Sequence, residues 1–179
     1  MNLDCTALGM LISLHTGLRI GEVCALKWSD VDIERKILTV RQTVARVKAN
    51  SNDNCKSKLI LDAPKTKNSL REIPINSFLL PLLVKKKSES VSDFVVSEQK
   101  TFVSPRTFEY RYHKILERFD IEQVNYHSLR HTFATRCIER GVDCKSLSEI
   151  LGHSNVNITL NTYVHSSMEL KRIQIEKLI

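Results

Sequence analysis

The sequence predicts an α+β fold, mostly helical, with a small three-stranded antiparallel sheet near the middle of the chain. Three observations lead there. Apolar segments dominate both ends, with Leu3, Leu8, Met10, Leu11, Ile12 and Leu14 in the first and Phe108, Tyr112, Ile115, Leu116 and Phe119 in a later one. Residues 37–75 instead carry alternating, β-branched runs. Gly17, Gly141 and Gly152 stand where helices would stop, and Pro105 where one would begin. At 179 residues the chain suits one domain with a real core.

Taken in order, the first apolar segment reads as a core helix broken by Gly17, and Thr16 is a reasonable N-cap for the next helix at 19–26. Val23 and Leu26 face inward there. Arg19 falls in the first turn, where the helix dipole favours negative charge, so arginine and helix N-terminus together favour an anion such as phosphate. A surface pair with Glu22, one turn on, is the plainer alternative. Residues 37–47, 58–62 and 70–75 read as strands, the last two joined by Lys65-Thr66-Lys67-Asn68-Ser69 with Asn-Ser able to make a tight hairpin. A polar loop at 48–58 separates the first two.

A helix at 78–87 ends in three lysines, and Pro105 opens another whose Phe and Tyr residues suit a core better than a base-stacking role. The next begins near His127, where Leu129, Phe133 and Cys137 face the core and His127 and Arg130 share a neighbouring face. Asp143 caps a short helix ended by Gly152. A last helix carries Ile173, Ile175, Leu178 and Ile179.

The formal charge of +7 suits a polyanionic partner. No apolar run approaches the roughly 18 residues that span a bilayer, and the N-terminus lacks the pattern of a signal peptide. Five cysteines, with no C-x-x-C pair, suit a reducing cytoplasm better than a disulfide framework. The spacing of Cys137, Cys144 and nearby histidines fits no usual zinc pattern. Residues 125–163 hold His127, Arg130, His153 and Tyr163, a plausible anion site beside a nucleophile.

Four segments resemble the signature motifs of the tyrosine recombinases, or phage integrases. Thr-Gly-Leu-Arg-Ile-Gly-Glu-Val-Cys-Ala-Leu-Lys-Trp-Ser-Asp-Val-Asp at 16–32 is similar to the first box, and His-Ser-Leu-Arg-His-Thr-Phe-Ala-Thr at 127–135 to the second. Leu-Gly-His-Ser followed by Asn-Thr-Tyr resembles the family's last histidine and its nucleophilic tyrosine. Pro-Lys-Thr-Lys-Asn-Ser-Leu-Arg-Glu-Ile-Pro at 64–74 resembles the lysine-bearing hairpin of integrases from conjugative transposons and phages of low-GC Gram-positive bacteria. The resemblance covers essentially the whole chain.

It implies the recombinase catalytic fold and DNA strand breakage through a 3′-phosphotyrosine, in the integration or excision of a mobile element. Tyr163 would be the nucleophile, Arg19 and Arg130 the clamp on the phosphate, His153 a further hydrogen-bond donor and His127 an acid–base partner for the tyrosine. The general acid would be Lys67, immediately before Asn68-Ser69, with Lys65 as the fallback. His131 would support the site or contact the DNA backbone, and Glu22 would orient a neighbouring basic group. Rejoining would need neither ATP nor metal, so no cofactor is implied. The partner would be double-stranded DNA in a tetrameric synapse of like subunits, with the isolated domain a monomer. The family normally carries core-binding and often arm-binding domains before this one, and residues 1–179 are expected to be the catalytic domain alone, as a fragment. The terminal helix would dock on a neighbouring subunit or pack on its own domain. A type IB topoisomerase and a non-catalytic DNA-binding remnant are the competing functions.

Overall fold

The computed structural model describes residues 4–48, 56–62, 70–163, 172, 175 and 176. Helix α1 (Cys5–Thr16) is the central rod. Its Asp4 cap accepts hydrogen bonds from the backbone N–H of Thr6 and Ala7 at 2.6 and 2.9 Å. Leu8 and Ile12 are fully buried, and Gly9 lies so close to the Phe108 ring that a Cβ there would clash with it. Contrary to the expectation from sequence, Thr16 does not cap the next helix. It is the last residue of α1, its hydroxyl donating to the Ile12 carbonyl at 2.6 Å, and the chain reverses at Gly17 with φ of 69°. Helix α2 (Ile20–Ala25) therefore starts later, with Arg19 as its N-cap.

The sheet region departs from the expected partition. Residues 37–47 are two strands, β2 (Ile37–Val40) and β3 (Thr43–Lys48), separated by Arg41 and Gln42. A two-residue strand, β1 (Val31–Asp32), joins β2 and β5 (Arg71–Pro74) in an antiparallel sheet ordered β1-β2-β5. Strand β3 pairs with β4 (Ser57–Asp62) as a separate ribbon. Among the described residues, then, β4 and β5 do not form the expected hairpin with each other. The reason lies in burial: Leu38 opposite Ile73, with Val40 beside them, line one core face of the larger sheet. The ribbon is only partly buried along its length. Alternation reveals a strand but not its partner. Lys65, Lys67, Asn68 and Ser69 lie outside the described residues.

Helix α3 (Leu79–Glu89) extends two residues beyond the lysine run, and α4 (Pro105–Arg118) opens with Ser104 as N-cap and proline in the first turn. Phe108, Tyr112 and Leu116 are buried as expected, whereas Phe119, at the C-cap, is exposed because the apolar stripe has turned to solvent there. The extended segment around Phe94 was not legible as structure: its Val95 N–H donates to the Leu26 carbonyl at 2.9 Å and seals that side of the core.

Helix α5 (His127–Glu139) leans on α1 and carries Leu129, Phe133 and Cys137 only half-buried. The fully buried positions are Arg130 and Ala134, so a charge lies deepest. Helix α6 (Cys144–Leu151) begins at its Asp143 cap and ends at left-handed Gly152, both as expected. Helix α7 (Val156–Tyr163) completes the described core. Of the expected terminal helix, Arg172, Ile175 and Glu176 are helical, and the remainder lies outside the described residues. Among the described residues no helix is long and apolar enough to cross a membrane.

Candidate active site

Two turns of chain build the site around α1. At its C-terminal end, Gly17 must adopt a positive φ, and a Cβ there would press to 2.7 Å against both Leu151 and Phe133. That reversal turns the Gly17 carbonyl inward and delivers Arg19 to the mouth of α2. Against the side of α1, the buried Tyr126 hydroxyl donates to the Gly9 carbonyl at 3.0 Å and lies 2.8 Å from Ser13 Oγ. Its ring meets Phe108 and Tyr112 edge-on. Tyr126 thereby anchors the residue before α5 and sets the direction in which His127 and Arg130 project.

Arg130 is the deepest charge, with 2 % of its surface exposed. Its Nη1 donates to Gly17 O at 2.8 Å and its Nη2 to Leu151 O at 2.9 Å. Two neutral carbonyls hold the guanidinium in place without neutralising it, which leaves a fixed cation able to meet an anion. Burial, with Arg19 and Arg71 nearby and Glu22 opposing them, lowers its pKa to about 10, so it stays charged at neutral pH.

Arg19 is held differently. Its Nη1 donates to Glu22 Oε1 at 3.0 Å and its backbone N–H to Glu22 Oε2 at 2.9 Å, while its side chain remains 40 % exposed. The pair with Glu22 foreseen as the plain alternative therefore exists, and it leaves the guanidinium at the surface of the same cleft. That cleft, about 390 Å³, is lined by Leu18, Arg19, Tyr126, His127, Arg130 and His131 among others.

The Tyr163 hydroxyl lies 3.0 Å from His131 Nδ1. Burial raises the tyrosine's pKa, and Arg130 and Arg19 pull the other way. His131 in turn meets His127 edge-to-face, ring centroids 4.6 Å apart. The histidine in direct contact with the tyrosine is thus His131, which sequence had placed in a supporting role, and His127 stands behind it. The cue was available: His127 and His131 are four apart on one helix and so share a face.

His153 follows Gly152, and its Nδ1 lies 2.8 Å from Thr159 Oγ1 in α7. Burial foremost, then Arg130 and Arg19, lowers its pKa to about 4. At neutral pH it is an uncharged imidazole, and when Nδ1 accepts from Thr159 the proton resides on Nε2, a donor. Of the six residues singled out by sequence, Arg19, His127, Arg130, His153 and Tyr163 are described and come together. Lys67, and Lys65 with it, lies outside the described residues.

Arg71 was missed. From the start of β5 it makes a buried bidentate pair with Glu22, Nη1 to Oε1 at 3.0 Å and Nη2 to Oε2 at 2.9 Å, and its Nε donates to Ile150 O at 2.6 Å. Burial pushes the Glu22 carboxyl up, but the Arg71 hydrogen bonds and the charges of Arg71 and Arg19 outweigh that and hold it below the usual range. Glu22 is therefore an anchor for basic groups, as its sequence context implied.

Comparison with known proteins identifies the family. The phage integrase family model matches residues 4–169. A XerC-like tyrosine recombinase of Caldanaerobacter subterraneus is 37 % identical across 94 % of this chain and 47 % of its own length. The transposase of transposon Tn916 from Enterococcus faecalis is 30 % identical across 94 % of this chain and 45 % of its own. The chain thus spans about half the length of these relatives. Among solved structures, the Tn1549 transposon integrase in complex with transposon right end DNA superposes with a TM-score of 0.80 at 26 % identity, over 96 % of this chain and 58 % of that one. The chain belongs to the phage integrase family.

Proposed function

We propose that residues 1–179 are the catalytic domain of a longer site-specific DNA recombinase that breaks and rejoins strands through a 3′-phosphotyrosine, in the integration or excision of a mobile element. One observation carries the reading: the Tyr163 hydroxyl, hydrogen-bonded to a histidine, stands in the field of two arginines, one buried and one at the cleft surface. The family, and relatives named as recombinases, transposases and integrases, support it.

In the proposed step the Tyr163 oxygen attacks a backbone phosphorus of duplex DNA, forming the phosphotyrosyl bond as the bond to the 5′-oxygen breaks. The phenolic proton, with a solution pKa of about 10, passes toward the histidine pair, His131 in contact and His127 behind it. Arg130 and Arg19 neutralise the charge that grows on the non-bridging oxygens, the kind of stabilisation worth roughly 10²- to 10³-fold per donor. His153 donates a further hydrogen bond from its neutral ring. Lys67, with Lys65 as the fallback, protonates the departing 5′-oxygen. Reversal of the step rejoins the strand, and the retained phosphotyrosine bond makes nucleotide hydrolysis unnecessary. The acting assembly is a tetramer of like subunits on DNA, the isolated domain a monomer, and the setting the cytoplasm, which suits the free thiols of Cys5, Cys24, Cys137 and Cys144.

The test is incubation with a nicked suicide duplex carrying a candidate core site. A covalent 3′ adduct that vanishes with Tyr163→Phe is the expected outcome. An adduct unaffected by that substitution removes Tyr163 from its role.

A further inference from the structure

The pair between Arg71 and Glu22 takes no part in the chemistry above, yet it lies where the two halves of the site meet. Both side chains are only 6 % exposed. Burying two opposite charges is expensive, and apolar side chains of the same volume often pack as stably or better. What an ion pair adds is geometry. Arg71 commits Nη1 and Nη2 to the Glu22 carboxylate and Nε to the Ile150 carbonyl. The same carboxylate receives the Arg19 guanidinium and the Arg19 backbone N–H. Ile150 immediately precedes Leu151, whose carbonyl holds Arg130, and two residues later comes His153.

One guanidinium therefore ties the mouth of α2 to the C-terminal end of α6. We propose that Arg71 is a positioning residue of the phosphate site: through Glu22 it sets the Arg19 guanidinium, and through the Ile150 carbonyl it sets the helix end that bears His153 and grips Arg130. The proposal rests on the reading of Arg19 as a phosphate clamp. Arg71 itself needs no contact with DNA. Its planar fork is what the role requires, because a lysine would restore the charge but has one nitrogen in place of the three fixed, coplanar ones that reach the two carboxylate oxygens and the Ile150 carbonyl.

The experiment is a double-mutant cycle on the rate of covalent adduct formation, using the whole chain and a nicked suicide duplex. Rates are expressed per folded molecule, with the folded fraction taken from circular dichroism. Arg71→Lys is expected to slow the reaction at least tenfold and Arg19→Ala about a hundredfold, on the scale of one lost donor. The double variant should react at least tenfold faster than the product of the two single effects, since an arginine already displaced has less to lose. Independent, fully multiplicative effects would overturn the proposal, as would Arg71→Lys reacting at the parent rate. If Arg71→Lys does not fold, Glu22→Gln takes its place in the cycle, because it preserves shape while weakening both arginine contacts, and the same coupling is expected. Arg19→Ala reacting at the parent rate, or no adduct from the unsubstituted chain, would instead bring down the clamp reading itself and this proposal with it.

Discussion

The two arginines facing the cleft are held in opposite ways. Arg130 is sunk into the core and gripped by two backbone carbonyls from α1's reversal and α6's end. Arg19 stands at the surface, steered by a single carboxylate that is itself locked from behind by Arg71. One cation is part of the fold, and the other is aimed by it. Changes at Arg130 should thus damage stability and chemistry together, and changes at Arg19 should separate them.

The largest effect is expected at Arg130. Replacement by alanine leaves Gly17 O and Leu151 O unsatisfied, at a cost of about 1–3 kcal/mol per group, and abolishes detectable cleavage. Arg130→Lys should keep most of the DNA binding but lower the cleavage rate about 10³-fold, because a point charge cannot reproduce the fork. Urea melts and adduct assays on the same samples would check both. Arg19→Ala is the contrasting case, expected to slow cleavage about a hundredfold while shifting stability by under ~1 kcal/mol, because the lost side chain is 40 % exposed and buried Glu22 keeps its bidentate partner Arg71. A large loss of stability at Arg19, or none at Arg130, would erase the distinction drawn between them.

Smaller effects sharpen the other side of the cleft. His131→Gln, which keeps a polar group near the Tyr163 hydroxyl but removes the base in contact with it, should slow cleavage roughly tenfold or more in the adduct assay. The acidic limb of stability should follow His153. Its pKa falls from the ordinary value near 6.5 to about 4 on folding. Between those values the unfolded chain binds the extra proton, so stability should be full above about pH 6.5, decline as pH drops toward 4, and then level off for this group. His127 and His15, also lowered by burial, act in the same direction. A His153→Gln variant should lose part of that slope in chemical melts across the pH range, and an unchanged slope would contradict the assignment.

Much of this was readable in the sequence where the signal is local. The Asp143 cap, the Gly152 stop and the proline start at Pro105 are each set by one residue's backbone preference, and each landed where expected. The ordered motifs also named five residues that come together. What escaped is long-range. Thr16 resembled a cap but is buried inside α1, and the break at Arg41 and Gln42 splits a run that alternation alone would continue. Strand partners are chosen by which faces share a core, so β5 joined β2 and left β4 to β3. Arg71 looked like an ordinary strand residue, because its value lies in partners 49 and 79 positions away. His131 was in view but ranked behind His127, since only the placement of α7 reveals which ring the tyrosine meets.

The proposed chemistry puts the DNA on Tyr163, between those two arginines. Its most direct test is peptide mapping of the covalent adduct formed with a nicked suicide duplex, by mass spectrometry after nuclease and protease digestion. A 3′-linked nucleotide on Tyr163, lost when Arg130 is replaced by alanine, is the predicted result. An adduct on any other residue, or a full yield without Arg130, would contradict it.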